Sequence, residues 1–298
     1  MTSPALSTTA LDLLAPHQAL AVRQLADAAP DSQNNPPISE RGLLHLQSGA
    51  PFRHFVTTQD GLITGYAQLD PVGDHVSAEL VTAVPDAHDT AGRLLAHVST
   101  AAEGEKLLLW AHGSDSAGNR AALQAGWLPV RSLHQMRRSL TDWDTPDPEP
   151  GQGVLIRQFV PGQDDAAWLA VNARAFASHP EQGGWTQADL TDRMESDWFD
   201  PTGFLLADRG GELLGYHWTK VHSNTGEPIG EVYVLGVDPA AQGMKLGHVL
   251  LTRGLNHLKA QGLGGVLLYA DATNTTAVSL YEKLGFAIFS TDIQYARP

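Results

Sequence analysis

Glu231-Val-Tyr-Val-Leu-Gly-Val-Asp-Pro239 is the stretch from which the fold can be predicted, and it runs on as Ala-Ala-Gln-Gly-Met-Lys-Leu-Gly247. Residues 231–237 are mostly β-branched, aromatic or otherwise apolar, which predicts a buried strand that stops at Asp238-Pro239. From Leu246 onward, apolar residues recur at helical spacing, at positions 249, 250, 251, 255 and 258. The pattern therefore predicts a strand, a glycine-containing loop and a helix.

The loop between this strand and this helix is suited to an anion. Gly243 and Gly247 leave room for a ligand beside the backbone, and the first N–H groups of a helix have no partner within it. A Walker loop is excluded because Lys245 is not followed by Ser or Thr, and the dinucleotide fingerprint lacks its third glycine. Taken alone, the segment could also be an ordinary strand–turn–helix corner.

Two motifs resemble the signature of the GNAT acetyltransferases. Gln242-Gly-Met-Lys-Leu-Gly247 is similar to their pyrophosphate loop, Arg/Gln-x-x-Gly-x-Gly/Ala, with Lys245 where the family has its first glycine. A further strand is predicted at 266–270, and Asn274-x-x-Ala-x-x-x-Tyr-x-x-x-Gly-Phe286 resembles the second half of the signature. The resemblance implies the α/β GNAT fold, with an α+β mixed sheet, and acetyl-CoA as co-substrate.

Length and charge narrow the class of protein. The chain has 298 residues, enough for two domains, and its 42% hydrophobic content supports packed cores. Its formal net charge of −14 argues against partners that are nucleic acids or anionic membranes, because binding to these depends on Lys and Arg. With no apolar run of transmembrane length and no signal-peptide pattern, we expect a cytoplasmic protein, and we expect a monomer.

The chain contains no cysteine, so any acyl transfer must proceed without a cysteine nucleophile. Its 13 histidines form no HExxH or comparable pair. Scattered single histidines are usually surface or core residues rather than metal ligands. We therefore expect no metal site.

The two halves of the chain repeat one pattern of elements, which predicts a tandem pair of domains. We place an N-terminal domain at 1–140, a linker rich in Pro, Asp and Gly at 141–153, and a C-terminal domain at 154–298. The paired landmarks are Gly65-Tyr66 with Gly215-Tyr216, Glu79 with Glu231, and Gly126-Trp127 with Gly285-Phe286. The first copy lacks the phosphate loop and has Ala122 near the position of Tyr281, so we interpret it as degenerate.

The N-terminal region gives a weaker pattern. Residues 1 to about 10 are small and polar and predict a loose end. Leu11 to Ala29 has apolar residues at helical spacing and is followed by Pro30, which predicts a helix. A second helical stretch is predicted from Glu40 to Leu46.

The GNAT resemblance implies specific chemical roles in the second domain. An attacking amine must be neutral, so a base is needed, and Glu231 at the start of the strand is the candidate. Backbone N–H groups at Leu235, Gly236 and Val237 would bind the thioester carbonyl. Tyr281 would protonate the departing thiolate. The alternatives are a solvated strand-end carboxylate for Glu231 and a core aromatic for Tyr281.

The same resemblance implies a set of residues that bind the coenzyme. In the second domain these are the loop and the first turns of two helices: Gln242, Gly243, Met244, Lys245, Leu246, Gly247, His248, Asn274, Thr275, Thr276, Ala277, Val278 and Ser279. In the degenerate first domain, the strand backbone at Leu80, Val81 and Thr82 is the corresponding candidate.

A narrower resemblance covers almost the whole chain. The segments 179–186, 198–201, 215–222 and 230–239 are similar to those of the mycothiol synthases, tandem GNAT enzymes that acetylate the cysteinyl amine of Cys-GlcN-Ins. This resemblance implies a small-molecule substrate bound by carboxylates and polar groups. The implied contacts are Glu40, Glu181, Lys220, Glu231 and Tyr269.

Two other functions fit parts of the same pattern. One is a GNAT acetyltransferase for another small amine or a peptide N-terminus, which would have no use for the segments just named. The other is a non-catalytic acyl-CoA-binding module, which Lys245 in the phosphate loop favours. The presence of both Glu231 and Tyr281 argues against the second alternative.

Overall fold

The computed structural model describes residues 6–29, 36–83, 88–177, 179–223 and 227–298, and the side chains at 88, 89, 180 and 181 lie outside this description. The chain forms two compact units. The first unit comprises Met1–His134, Asp271–Thr273 and Ser290–Pro298, and the second comprises Gln135–Ala270 and Asn274–Phe289. The last strand of the chain thus contributes most of its residues to the first unit.

The first unit is built on a mixed sheet whose strands follow one another in space as they do in the chain. Their order is β1-β2-β3-β4-β5, antiparallel except for the parallel pair β4–β5. The strands are β1 Ser7–Leu11, β2 Arg53–Gln59, β3 Leu62–Val72, β4 His75–Thr82, β5 Leu107–Ala111 and β6 Leu128–Ser139, the last continuing into the second unit. The helices are α1 Pro16–Asp27, α2 Glu40–Leu44, α3 His88–Ala101 and α4 Ala117–Gln124.

The beginning of the chain differs from the prediction. Residues Ser7–Leu11, expected to be part of a loose end and the start of a helix, form β1 and pair antiparallel with β2 along Ser7↔Thr58 to Leu11↔His54. The helix begins only at Pro16, because a proline is favoured in the first turn, where its missing N–H costs nothing. The strand depends on the free edge of β2, which lies more than forty residues away in sequence.

The second unit repeats the same order of strands, with three helices rather than two between its first and second strands. Its strands are arranged as β7-β8-β9-β10-β11, antiparallel except for the parallel pair β10–β11. The strands are β7 Leu155–Gln158, β8 Phe204–Arg209, β9 Glu212–His222, β10 Ile229–Val237, β11 Gly265–Asp271 and β12 Ala287–Ala296. The helices are α5 Asp165–Ala175, α6 Pro180–Gly183, α7 Gln187–Met194, α8 Leu246–Ala260 and α9 Thr275–Lys283.

The β2–β3 and β8–β9 hairpins share one turn geometry. Asp60 and Gly61 connect β2 to β3 with φ of 53° and 80°, and Gly210 and Gly211 connect β8 to β9 with φ of 64° and 92°. Two consecutive positive φ values define the turn whose twist matches that of the flanking strands, which is why Asp-Gly and Gly-Gly occur here. The turn chemistry of the sequence therefore fixes the register of each hairpin.

The two short helices α4 and α9 end in the same way. Gly126 follows α4 with φ of 74°, and Gly285 follows α9 with φ of 83°. The next N–H bonds back to the carbonyl of Ala122 in the first unit and of Tyr281 in the second, at 2.9 and 3.0 Å. This 6→1 bond defines a Schellman stop. It also shows that Ala122 occupies the position equivalent to Tyr281.

The sheet of the second unit is covered on both faces. On one face, leucines of α8 pack on alternate residues of β10 and β11: Leu251, Leu255, Leu258, Val232, Val266 and Leu268. On the other face, α5 and α7 contribute Trp168, Val171 and Leu190. They pack with three aromatic residues of β8 and β9: Phe204, Tyr216 and Trp218. Each face buries side chains that recur every second residue along the strands, as the pleat requires.

The segment predicted as a linker contains no helix or strand, yet it is held against α8. The indole of Trp143 is buried and donates to Asn256 Oδ1 at 2.6 Å. Asn256 Nδ2 donates in turn to the Thr145 carbonyl at 3.0 Å, and Lys259 donates to the Trp143 carbonyl. The segment therefore belongs to the packed part of the second unit.

The first unit has its own core. Residues of α3 and α4 pack on one face of its sheet, as shown by the cluster Leu94, Val98, Ala121, Ala122, Leu69, Ala78 and Leu109. Residues of α1 pack on the other face, together with Val56, Tyr66 and Val81. Among the described residues, no helix is long and apolar enough to cross a membrane.

His217 is a fully buried histidine between β9 and α8. Its Nδ1 donates to the Leu250 carbonyl at 2.9 Å, and the backbone of Gly254 lies against the ring, where any larger residue would clash. Burial lowers the pKa of His217 from 6.5 to about 4. The folded chain therefore holds this side chain neutral in a pH range where the unfolded chain protonates it.

We expect His217 to make the protein less stable as the pH falls. Below pH 6.5 the unfolded state takes up a proton that the folded state refuses until about pH 4, so the unfolding free energy falls by up to about 1.4 kcal/mol per pH unit in this window. Urea unfolding of the wild type and of His217→Asn at several pH values measures this slope. A variant with the same slope as the wild type would contradict the assignment.

Candidate active site

Strands β10 and β11 separate near the middle of the second unit. They pair from Gly230↔Val266 to Val232↔Leu268, although β10 continues to Val237 and β11 to Asp271. On its other edge β10 stays paired with β9, but the register shifts at Tyr233, as in a β-bulge. A bulge bends its strand away from the neighbour. Among the strand pairings of the described residues, positions 233–237 thus have one unpaired edge, open to a ligand.

Three of the predicted substrate residues lie on the same face of this sheet. Glu231 is directly opposite Lys220 on β9 and opposite Leu267 on β11. Tyr269 follows Leu267 by two residues, so its side chain projects on the same side. The register of the strands therefore brings Lys220, Glu231 and Tyr269 together around the end of the β10–β11 pairing.

Aromatic and polar neighbours fix Lys220 and Tyr269. The ammonium of Lys220 lies 4.4 Å from the ring centroid of Trp198 and 5.1 Å from that of Tyr233, a cation–π arrangement. The hydroxyl of Tyr269 accepts a hydrogen bond from Gln135 Nε2 at 2.8 Å. These contacts hold a cation and a phenol beside the carboxylate of Glu231.

Glu231 is buried, and its carboxylate is bound by an imidazole. Glu231 Oε2 lies 2.6 Å from His222 Nε2, at the end of β9. Burial raises the pKa of Glu231, but the hydrogen bond from His222 and the charges of His222 and Lys220 outweigh it and hold the pKa below its usual range. The carboxylate is therefore ionised at neutral pH.

Tyr281 lies on the opposite face of the sheet from Glu231. It belongs to α9 and packs in the same cluster as Val232 and Leu268, which project away from Glu231, and its ring lies edge-on to Phe286 at 5.9 Å. Burial raises the pKa of Tyr281 to about 12. The phenol thus keeps its proton at neutral pH and is able to donate it.

The loop before α8 has the backbone of an anion site. Gly243 has φ of 86°, and Lys245 has φ of 60° and ψ of 18°, a left-handed conformation at the N-cap of α8. Lys245 makes no side-chain cap, so the first N–H groups of α8 are not bound by it. Upstream, Asp238 Oδ2 is paired with Arg174 at 2.6 Å, which holds the start of the loop. The loop therefore fits a phosphate group.

The remaining predicted residues lie on five elements of the two units. Leu235, Gly236 and Val237 lie in the separated part of β10, and Asn274 caps α9 by accepting from the Ala277 N–H at 3.1 Å, with Thr275–Ser279 in the first turns. Glu40 and Leu80–Thr82 belong to the first unit, at the start of α2 and the end of β4. Glu181 lies in α6, but its side chain is outside the described part of the structure.

Sequence reasoning missed two partners of the site, His222 and Arg174. His222 follows Lys220 by two residues, so the alternation of the strand could have placed it on the same face. Nothing in the local sequence indicated Arg174, because its partner Asp238 is 64 residues away.

Curated relatives resemble this chain over almost its whole length. A mycothiol acetyltransferase from Streptomyces avermitilis is 51% identical, and the match covers 97% of this chain and 94% of that protein. Another from Acidothermus cellulolyticus is 45% identical over 95% of this chain and 92% of that protein. The chain belongs to the mycothiol acetyltransferases. It is thus an acetyltransferase, as the sequence predicted.

The acetyltransferase (GNAT) family model matches residues 170–286, which lie in the second half of the chain. Among solved structures, a tandem GNAT protein from the clavulanic acid biosynthesis pathway has a TM-score of 0.73 at 14% identity and covers 98% of both chains. A GCN5-related N-acetyltransferase from Sphaerobacter thermophilus has a TM-score of 0.70 at 21% identity, covering 98% of this chain and 96% of that one. These neighbours support the tandem GNAT fold.

In the first unit, the predicted equivalence of Glu79 and Glu231 is wrong by two residues. Leu109 and Leu268 precede the equivalent Ala122 and Tyr281 by the same number of residues, and they pair with Ala78 and Val232, so Ser77 occupies the position of Glu231.

Glu79 accepts hydrogen bonds from the Ser39 N–H at 3.1 Å and from Gln68 Nε2 at 2.8 Å, and it contacts His112 Nε2 at 2.9 Å. Gly42 of α2 lies so close that a Cβ there would be 2.6 Å from the carboxylate. This carboxylate is covered and serves to hold α2.

Lys245 stores backbone strain that a glycine would release. The left-handed conformation costs a residue with a Cβ roughly 1 kcal/mol relative to glycine. We expect the free energy of unfolding of Lys245→Gly to be about 1 kcal/mol higher than that of Lys245→Ala. Both variants lack the charge, but only the alanine variant has a Cβ. Chemical denaturation measures the difference.

The matched control is the same pair of substitutions at the preceding residue. Met244 is not among the residues with positive φ, so there the alanine variant is expected to be at least as stable as the glycine variant. The same order of stability at both positions would contradict the strain at Lys245.

Proposed function

We propose that the second unit transfers the acetyl group of acetyl-CoA directly to the cysteinyl α-amine of Cys-GlcN-Ins and so forms mycothiol, as a cytoplasmic monomer. The observation that carries the proposal is the likeness to mycothiol acetyltransferases over nearly the whole of both chains. The geometry supports it, because a carboxylate and a phenol lie on the two faces of the sheet where β10 and β11 separate.

The coenzyme is proposed to bind along β10 and the start of α8. When bound, acetyl-CoA supplies an activated acetyl thioester. The N–H groups at Gln242–His248 would bind its pyrophosphate, with α9 residues 274–279 beside it. The unpaired edge at Leu235–Val237 offers N–H groups to the thioester carbonyl. In the first unit, Leu80–Thr82 extend beyond the β4–β5 pairing in the same way and are a proposed second coenzyme contact.

Glu231 is proposed as the general base. It is ionised at neutral pH and lies on the face that also carries Lys220 and Tyr269. A carboxylate there attracts the ammonium form of the substrate and accepts its proton as the amine becomes nucleophilic. Lys220 and Tyr269, with Glu40 and Glu181, are proposed to bind the sugar and inositol hydroxyls.

Tyr281 is proposed as the general acid for the departing thiolate. Its raised pKa keeps the hydroxyl protonated throughout the pH range of the reaction. The chain has no cysteine to carry the acetyl group, which supports direct transfer between the two bound substrates.

The substrate is tested by measuring acetylated product and free coenzyme by chromatography, since the thiol of Cys-GlcN-Ins would react with thiol reagents. We expect turnover of Cys-GlcN-Ins and none of glucosaminyl-inositol, a simple aminoglycoside or a peptide N-terminus. Glu231→Gln should lower kcat by roughly 100-fold or more, because the amine loses its base. Turnover of another amine in preference would assign the chain a different substrate, and coenzyme binding without any turnover would favour the non-catalytic alternative.

The role of Tyr281 is tested by Tyr281→Phe, which keeps the ring and its contact with Phe286. We expect kcat to fall roughly 10-fold to 100-fold while the KM for acetyl-CoA stays within about twofold, because only thiolate protonation is lost. Because the pKa of Tyr281 is about 12, the wild type should show no loss of activity attributable to this group up to pH 10. An unchanged kcat would remove Tyr281 from the mechanism.

A further inference from the structure

The carboxylate of Glu231 is connected to solvent through His222. Only 9% of the Glu231 side chain is exposed, whereas 34% of the His222 side chain is, and the two groups are 2.6 Å apart. We propose that His222 relays the proton of the substrate amine from Glu231 to solvent. This inference rests on the proposed function and names a residue that the mechanism above leaves out.

The reaction requires a route by which a proton leaves the protein. The substrate arrives as an ammonium and ends as an amide, so the nitrogen loses two protons while the C–N bond forms and the C–S bond breaks. One proton ends on the coenzyme thiol, with Tyr281 as the immediate donor. The other must leave the protein. A buried carboxylate that accepts it has to pass it on before the next turnover, and the bound imidazole is a direct acceptor.

The charges around the pair favour this direction of transfer. Besides His222, Lys220 faces Glu231 from the directly opposite position on β9. A neutral His222 accepts the proton from Glu231, and once it carries that proton its charge and the charge of Lys220 both favour the ionised carboxylate, so the proton does not return to Glu231. The imidazole has two ring nitrogens, so it can accept a proton on Nε2 while Nδ1 releases one.

The first unit contains a natural comparison. There His112 also contacts a buried carboxylate, Glu79 of β4, but its other nitrogen lies 3.0 Å from Asp292, and only 12% of the side chain is exposed. Burial lowers the pKa of His112, but the two carboxylates outweigh this effect and raise it to about 10, so His112 stays protonated. Among the described residues of the second unit, no second carboxylate hydrogen-bonds His222. An imidazole that is partly exposed and has one carboxylate partner is able to gain and lose a proton in each turnover.

Two substitutions separate proton relay from simple positioning. In His222→Gln the side-chain amide can still donate to Glu231 but cannot carry a proton, and in His222→Ala both functions are lost. We expect kcat for Cys-GlcN-Ins to fall roughly tenfold in both variants, with KM within about twofold of the wild type. Added imidazole should restore much of the kcat of His222→Ala and none of that of Glu231→Gln.

The matched control is a second histidine–carboxylate pair of the same unit. His257 Nε2 lies 3.6 Å from Asp200 Oδ2, and His257→Gln should leave kcat unchanged with and without imidazole. Thermal unfolding confirms that each variant is folded. Wild-type kcat in His222→Gln would show that His222 only positions Glu231, and a His222→Ala variant that imidazole does not rescue would also overturn the relay. A wild type that fails to acetylate Cys-GlcN-Ins would overturn the proposed function and the relay together.

Discussion

The separation of β10 and β11 after Val232 is the constraint on which the site depends. A buried strand normally satisfies its N–H and carbonyl groups on both sides, and leaving one unpaired costs about 1–3 kcal/mol. The bulge at Tyr233 turns β10 away while its other edge stays bonded to β9. The separation leaves N–H and carbonyl groups of β10 unpaired and available to a ligand. It also makes this point of the sheet accessible from both of its faces. Glu231 belongs to one face and Tyr281 packs on the other.

The two units show how one framework supports two uses of a buried carboxylate. Glu79 of β4 and Glu231 of β10 lie on equivalent strands, two residues apart in register, and each lies opposite a polar residue of the neighbouring strand, Gln68 or Lys220. In the first unit the carboxylate is saturated by backbone and side-chain groups, so it anchors α2 and contributes to folding. In the second unit it is paired with a partly exposed imidazole. The difference lies in the position of the carboxylate along the strand and in the segments that surround it.

Much of this fold was predictable because local chemistry specified it. The Asp60-Gly61 turn and the glycine stop at Gly285 need backbone angles that few other residues adopt, so their sequence patterns are reliable. The prediction was wrong at Ser7–Leu11, where a polar segment became a strand. Its conformation is determined by the edge of β2, a tertiary partner that no local pattern reveals.

The sequence by itself determined the repeated order of strands and the glycine-containing loop before α8, because each depends on glycine placement or on the periodicity of one strand or helix, and its resemblance to the GNAT enzymes pointed to Glu231 and Tyr281 as candidates. Only the tertiary structure decided that His222 binds Glu231, that Arg174 holds the start of the loop, and that Lys245 takes a left-handed conformation. These features depend on the register between strands and on which segments cover each face. Both are set by contacts between residues far apart in the chain, where burial and pairing outweigh local preference.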